Sequence, residues 1–465
     1  MAQLLGDVMD TSTRFREYNP DQLMLLPPDL RDWLPKGHCA YFILDLIPEL
    51  DLSSIYGAYD GSRGGQPPYD PRMMVGLLLH AYCEGVTSSR RIERATYDSV
   101  AYRVLSVDQH PDHDTISWFR QRHLEALSGL FTQVLRLCRK AGLVKLGHVA
   151  LDGTKIQGNA SKHKAMSYSR MQRKRSELEA EVKRLLAEAE ATDAAEDALY
   201  GKGNRGDELP EELQYRKSRL EKIRAAMAEL EVEAAAEYPK KKAEYEEKVK
   251  NRKRRGGRGR KPKPPSKKPD PKQQRNFTDK DSRIMVSGDA FVQAYNCQAA
   301  VDGKAQIIIA ADVTQDANDK QQIDPMVEQI KANTSGEKPN RLTADSGYFT
   351  EDNIEILEKE EIDAYIATEK QKHGDAPTPC PRGRIPKNAT IKQRMARKLQ
   401  TIKGRATYSK RKETAEPVFG QIKECRGFRR FSFRGLTKVK NEWALVCLTH
   451  NIRKLFKSGW VPNPA

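Results

Sequence analysis

Two short apolar runs that each end on an aspartate constrain this chain more than any other feature: HVALD, closing at Asp152, and RLTAD, closing at Asp345. Runs of this length and composition read as buried strands, and each stops where a carboxylate begins. The patterns around them follow a definite order. LGHVALDG precedes a long helical and polar interruption, after which GDAFVQAYNCQAAVD and KAQIIIAADV read as strands joined at Asp302-Gly303, a hairpin signal. An amphipathic helix over 318–332 follows, then RLTAD, a helix from Thr350, and the strand pattern IDAYIA. Antiparallel strands first, then alternating strands and helices, imply a mixed sheet with helices on its faces.

A third acid, Glu416, lies in YSKRKETAEPVFGQIK. Tyr408, Lys412, Glu416 and Lys423 are spaced to share one helical face, although Pro417 should start or kink a helix at that point. Carboxylates from two strand ends and one helix can hold divalent ions over a phosphodiester, because Mg²⁺ prefers oxygen ligands and a metal pair clamps the attacking and leaving oxygens. A solvated charged face is the competing reading of the Glu416 stretch.

The region before Gly142 is helical throughout. PRMMVGLLLHAYCEG is apolar around most of its circumference and reads as a core helix, and SSRRIERATYDSVAYRVLS follows with helical spacing. PDHDTISWFRQRHLEAL offers Asp114 as an N-cap and turns Thr115, Ser117, Arg120 and Arg122 outward, which suits the reading helix of a helix-turn-helix as well as an ordinary surface helix. His110 and His113 read as loop residues, and His450 as a core or interface residue, rather than as metal ligands.

Between the first two strand patterns, Met171, Leu178 and Leu185 repeat every seven residues, as do Leu213, Leu220 and Met227. Two such helices imply a helical hairpin, or a coiled coil between protomers. The stretch NRKRRGGRGRKPKPPSKKPDPKQQR is nearly devoid of apolar residues and should be disordered when free. Its Arg258 and Arg260 sit in an RGRKP core that suits a narrow minor groove, or simply a basic linker held by phosphates.

A net charge of +17 over 465 residues fits a polyanion partner. Seven scattered cysteines without metal spacing read as free thiols in a reducing compartment. No apolar run is long enough for a membrane span and no leader is evident, so a cytoplasmic, nucleoid-associated chain is expected.

Four passages carry a family resemblance: TISWFRQRH, ALDGTKIQGNAS, TADSGY and EPVFGQIKECRGFRRFSFRGLTKVKNEW. Together they resemble bacterial insertion-sequence transposases of the DDE type, in the branch with a tyrosine–arginine–glutamate–lysine signature. The resemblance implies a metal-binding catalytic triad of Asp152, Asp345 and Glu416, with Lys423 as the signature lysine. Tyr408 lies one residue further from the glutamate than usual, and Lys412, not Arg411, holds the arginine position by count; Tyr408, Arg411, Lys412 and Lys423 are candidate DNA contacts. It also implies two Mg²⁺ ions, for which Mn²⁺ could substitute, and hydrolysis at element ends followed by strand transfer into target DNA. Double-stranded DNA and a homodimer on DNA are the expected partners. A nuclease without strand transfer and a DNA-binding protein without catalysis are the alternatives.

The expected organisation is α+β or α/β mixed: a helical DNA-binding domain over 1–141, and a ribonuclease-H-like catalytic domain over 142–165 and 283–465. A helical hairpin over 166–235 and a basic disordered linker over 236–282 interrupt it.

Overall fold

The computed structural model describes residues 29–59, 67–200, 211–254, 261–288, 290–369, 379–386 and 388–462. The described residues up to Lys140 form helices: α1 (Cys39–Leu46), α2 (Ser53–Tyr56), α3 (Pro71–Glu84), α4 (Ser89–Asp98), α5 (Val100–Ser106), α6 (His113–Arg122) and α7 (Leu124–Lys140). Helix α3 starts on Pro71 with the Asp70 side chain capping the Arg72 N–H, and buries Leu77, Leu78, Leu79 and Tyr82, as its sequence implies. Helix α6 is capped by Asp112 rather than Asp114: Asp112 Oδ1 accepts the Thr115 N–H at 2.6 Å, leaving Asp114 in the first turn. A capping side chain must reach an N–H two or three residues ahead, and Asp112 is the acid with that reach.

Among the described residues eight strands follow: β1 (Val149–Gln157), β2 (Ala165–Ser167), β3 (Gln274–Asn276), β4 (Arg283–Ser287), β5 (Ala290–Asp302), β6 (Ile307–Thr314), β7 (Arg341–Ala344) and β8 (Asp363–Ile366). The main sheet runs β4-β5-β1-β7-β8, with β6 pairing the second half of β5. Strands β1 and β5 are antiparallel, whereas β1, β7 and β8 are mutually parallel, so the sheet is mixed as the order of patterns implies. Helices α10 (Ile323–Asn333) and α11 (Glu351–Lys359) connect β6, β7 and β8.

Between β2 and β3 run α8 (Tyr168–Tyr200) and α9 (Glu211–Arg254). They are antiparallel, as Arg216–Glu181, Arg224–Glu179 and Tyr168–Glu231 pairs show, and they bury Met171, Leu178, Leu220, Ile223, Met227 and Leu230 between them. The expected linker boundary at 236 is corrected: α9 continues through Pro239 to Arg254. The KKKAEYEEKVK stretch is rich in helix formers and carries Glu237–Lys241 and Glu244–Lys248 pairs one turn apart. The far end of that linker is ordered too. Strand β3 pairs with β2, and the buried Asp279 accepts the Tyr295 hydroxyl and the Gly435 N–H. Arg258 and Arg260 fall outside the described residues.

The C-terminal segment supplies α12 (Ile391–Gln400), α13 (Ile402–Thr414), α14 (Glu416–Gly420), a π-helical turn (Gln421–Cys425) and α15 (Leu436–Lys457). Helix α15 packs on α3 and α7 from one side and on β6 from the other, so one continuous apolar core joins the N-terminal helices to the sheet. Its Asn451 mimics a strand at the sheet edge: the side chain accepts the Ile308 N–H and donates to the Ile308 carbonyl, at 2.9 and 2.8 Å. His450 is buried, with Nε2 2.9 Å from the Gln306 carbonyl oxygen, as a core histidine should be. No helix among the described residues is long and apolar enough to cross a membrane.

Candidate active site

Strand pairing places the first two acids. Val149 lies opposite Leu342 and Ala150 opposite Thr343 in the parallel β1–β7 ladder, so two residues further on Asp152 and Asp345 emerge side by side. Asp345 leaves its strand by capping a short turn, accepting the Gly347 N–H at 2.8 Å. Glu416 arrives from the break between α13 and α14. Pro417 has no N–H to give the Glu413 carbonyl, and Gln306 Nε2 satisfies that oxygen at 2.8 Å instead. The kink at Pro417 is thereby anchored to the β5–β6 turn.

This break decides which basic residue enters the site. Arg411, and not Lys412, reaches inward: its Nη1 is 3.1 Å from Asp152 Oδ2 and its Nη2 is 3.3 Å from Glu416 Oε1. Lys412 is exposed. Counting along an unbroken helix back from Glu416 selects Lys412, but the helix is broken, and the extra residue is absorbed between Arg411 and Glu416. Tyr408 lies one turn earlier, half-buried, with its ring 5.9 Å from the Arg411 guanidinium carbon. The Nε of Arg411 is buried and has no hydrogen-bond partner among the described residues. Lys423, in the π-helical turn, donates to Thr154 Oγ1 at 3.1 Å, two residues beyond Asp152 on β1. π-Helical turns often mark functional positions.

The electrostatics follow from this packing. Burial pushes the Asp152 carboxyl up to about 6, with Arg411 opposing and Asp345 and Glu416 adding to the rise. Burial disfavours the Arg411 charge, but Asp152, Tyr408, Glu416 and Asp345 outweigh it and raise its pKa. The donor set is all carboxylate oxygen, which suits a hard divalent ion. As the side chains stand, no three His, Cys, Asp or Glu residues among those described are grouped closely enough to hold one. Arg411 occupies the space between Asp152 and Glu416 and neutralises both. The Glu416 side chain, bonded to Arg411, is 51 % exposed, and the carboxylate chemistry of the set fits a hard divalent ion.

A pH dependence follows. A carboxyl whose folded pKa is raised contributes stability that is fully present below its unfolded value and lost as pH rises through the folded one. Denaturant titrations of the metal-free chain should show a decline of about 3 kcal/mol between roughly pH 4 and pH 7 attributable to Asp152. Asp152→Asn should remove that component; superimposable profiles for the two proteins would show that Asp152 titrates as an ordinary surface acid.

The sequence-derived DNA-reading helix is only partly presented to solvent. Arg120 is turned inward and 6 % exposed: Nη1 donates to the Thr87 carbonyl at 2.5 Å and to the Tyr82 hydroxyl at 3.3 Å, beneath the Phe433 ring. Its expected outward position is corrected, because the polar network around the buried Glu442 takes up the guanidinium. Thr115 Oγ1 is spent on Asp112, and Ser117 accepts from Gln121. Arg122 is exposed and stacks on Tyr59 and Trp118. Helix α4, read from the sequence only as helical, buries Ile92 and Thr96 and exposes Arg90, Arg91, Arg94 and Tyr97. The spacing of arginines around Ile92 in SSRRIERATYD was the available signal.

A family model described as Transposase DDE domain matches residues 264–452, and one described as Transposase domain (DUF772) matches residues 28–122. The first takes in Asp345, Glu416 and Lys423 and begins after Asp152; the second spans α1 to α6. No curated protein and no solved structure matches the chain.

Proposed function

This chain belongs to the insertion-sequence DDE transposases, and from that premise we propose that it cuts DNA at the ends of a mobile element and joins them to a target, using Asp152, Asp345 and Glu416. The observation that carries the proposal is the arrival of three acids, from the middle of β1, the end of β7 and a kinked helix, around one arginine. The strand order β6-β5-β1-β7-β8, in which β5 alone runs antiparallel to the others, supports a ribonuclease-H-like core. In such a core Asp152 is the acid of the central strand.

Mg²⁺ ions held by the three carboxylates would supply the Lewis acidity that activates a water and stabilises the leaving oxygen. The chain's own residues do the rest. Arg411 must leave Asp152; the guanidinium, with a spare Nε donor, then faces the strand's phosphates, where Arg binds best as a planar fork. Lys423 is held by Thr154 to bear on the same strand. Tyr408 and the exposed Lys412 flank the approach, and Arg258 and Arg260 are proposed as further phosphate contacts. For the element ends, the solvent face of α4 with Arg122 replaces the inward-facing Arg120 as the proposed contact, with Thr115 and Ser117 beside it. The active form is proposed as a homodimer on DNA.

Joining assays test the proposal: pre-cut ends with free 3′-hydroxyls should be covalently transferred to plasmid in Mg²⁺. Release of fragments without joining would establish the nuclease reading instead. Separately, changing Arg90, Arg91 and Arg94 together to alanine should reduce the slope of log affinity against log salt by about two to three units, since each lost phosphate contact removes about 0.9. An unaltered slope would take α4 out of the DNA interface.

A further inference from the structure

We propose that Lys155 is a further substrate-contacting cation of the active site and that Asp319 is the residue that positions it; the inference rests on the transposase reading above. Lys155 lies three residues beyond Asp152 on β1, opposite Asn296 of β5. Its ammonium is 3.8 Å from Asp319 Oδ1, and the two side chains are 17 % and 18 % exposed. Asp319, in the loop between β6 and α10, is held independently of the lysine: Asn296 Nδ2 and Gln298 Nε2 donate to Oδ1 at 2.6 and 2.7 Å. The Tyr348 hydroxyl donates to Gln298 Oε1, which fixes that amide with its NH₂ toward Asp319. Tyr348 is three residues past Asp345, so the strand end that carries one acid of the triad also orients the support of Asp319.

The chain makes room for this arrangement beside both aspartates. A Cβ at Gly153 would sit 2.6 Å from Gln298 Nε2 and 3.0 Å from Asp319 Oδ1. A Cβ at Gly347 would sit 3.0 Å from Asp345 Oδ1 and 3.3 Å from Asp319 Oδ2. Asp319 therefore packs against Gly153, next to Asp152, and Gly347, two residues past Asp345, and the glycines of ALDG and ADSG are where it fits.

A carboxylate that already accepts two amide donors does not need an ammonium beyond hydrogen-bond distance. The lysine instead depends on Asp319, whose charge offsets the burial that weakens the ammonium. Held loosely, with donors to spare and within electrostatic reach of Asp345, Lys155 is placed to take a phosphate oxygen of the strand lying over the acids. Lys423 approaches β1 at Thr154 and Lys155 projects from the next residue, so the strand end meets the DNA with a cation on either face.

The test uses the full chain, a fluorescein-labelled random-sequence duplex for binding, and nicking of supercoiled plasmid in Mn²⁺. Lys155→Met should lower the salt slope by about one unit and slow nicking by roughly tenfold or more, while Lys155→Arg restores the slope. Asp319→Asn should tighten duplex binding, because a negative charge beside the phosphate is lost, and yet slow nicking, because the lysine is no longer held. A merely structural role would weaken both together and lower the melting temperature. A Lys155→Met salt slope equal to wild type, or an Asp319→Asn chain that loses binding and nicking in parallel, overturns the inference while leaving the triad intact. A wild-type chain that binds no duplex overturns the inference and the transposase reading together.

Discussion

Asp345→Asn should leave the fold and the DNA affinity close to wild type and lower cleavage by on the order of a thousandfold or more. The amide keeps an oxygen where Asp345 Oδ1 now accepts the Gly347 N–H, so the turn over Ser346–Tyr348 stays capped. What is lost is one negative charge beside Asp152 and Glu416. Charge stabilisation at a metal centre is worth several kcal/mol of barrier, and each 1.4 kcal/mol is about tenfold in rate. Gel-shift affinity and cleavage of the same duplex, measured on one preparation, separate the two effects. Retained cleavage would remove Asp345 from the triad; lost binding would mean that the strand end had collapsed.

Arg120→Ala should act in the opposite way, on the fold before the function. The guanidinium is buried against Phe433, bonded to Thr87 and Tyr82, and linked through the Tyr82 hydroxyl to Glu442, which is fully buried and accepts the Ser432 and Phe433 N–H groups. Burial raises the pKa of Glu442, and the backbone donors and Arg120 are what oppose it. Removing one partner of such a set leaves a buried charge uncompensated and costs about 3–5 kcal/mol. Thermal melts should show a drop on the order of 10 °C, with Arg122→Ala nearly unchanged because that side chain is exposed. A stable Arg120→Ala chain with lost end binding would return Arg120 to the DNA interface.

The fold was legible where the period of the pattern was undisturbed. The runs VALD, AFVQAYNCQAAVD, IIIAADV, RLTA and DAYI all lie in strands, although β1 continues beyond Asp152 to Gln157, and the apolar repeats through Met171, Leu178, Leu220 and Met227 are buried in the hairpin. Helix α10 begins at Ile323, several residues after Asn318, because Asn318 and Asp319 are used in the loop that reaches the active site. The short β2–β3 ladder was not legible, since three-residue strands have no period and this pair is joined only through the hairpin between them.

For the candidate site, both aspartates could be read from their apolar runs, although only Asp345 closes its strand and β1 continues past Asp152 to Gln157; the basic residue beside them could not be read by counting. Pro417 breaks the helix, and the break substitutes Arg411 for Lys412. Arg120 was misplaced for a related reason. A helix wheel does not know that α15 lies behind α6, with Glu442 buried and in want of a cation. Asp319 carries no local signal beyond the two glycines it packs against, and those became informative only once the register of β1 with β5 was known.

The central claim is that Asp152, Asp345 and Glu416 form one metal centre with Arg411 as the cation that yields to it. Anomalous diffraction from crystals of the DNA-bound chain soaked in Mn²⁺ tests this most directly. The expected result is manganese density bonded to Asp152 and Asp345 with Glu416 turned toward it, and Arg411 withdrawn from Asp152 onto phosphate. Density confined to other sites, or a fully loaded crystal in which Arg411 still bridges Asp152 and Glu416, would contradict the account.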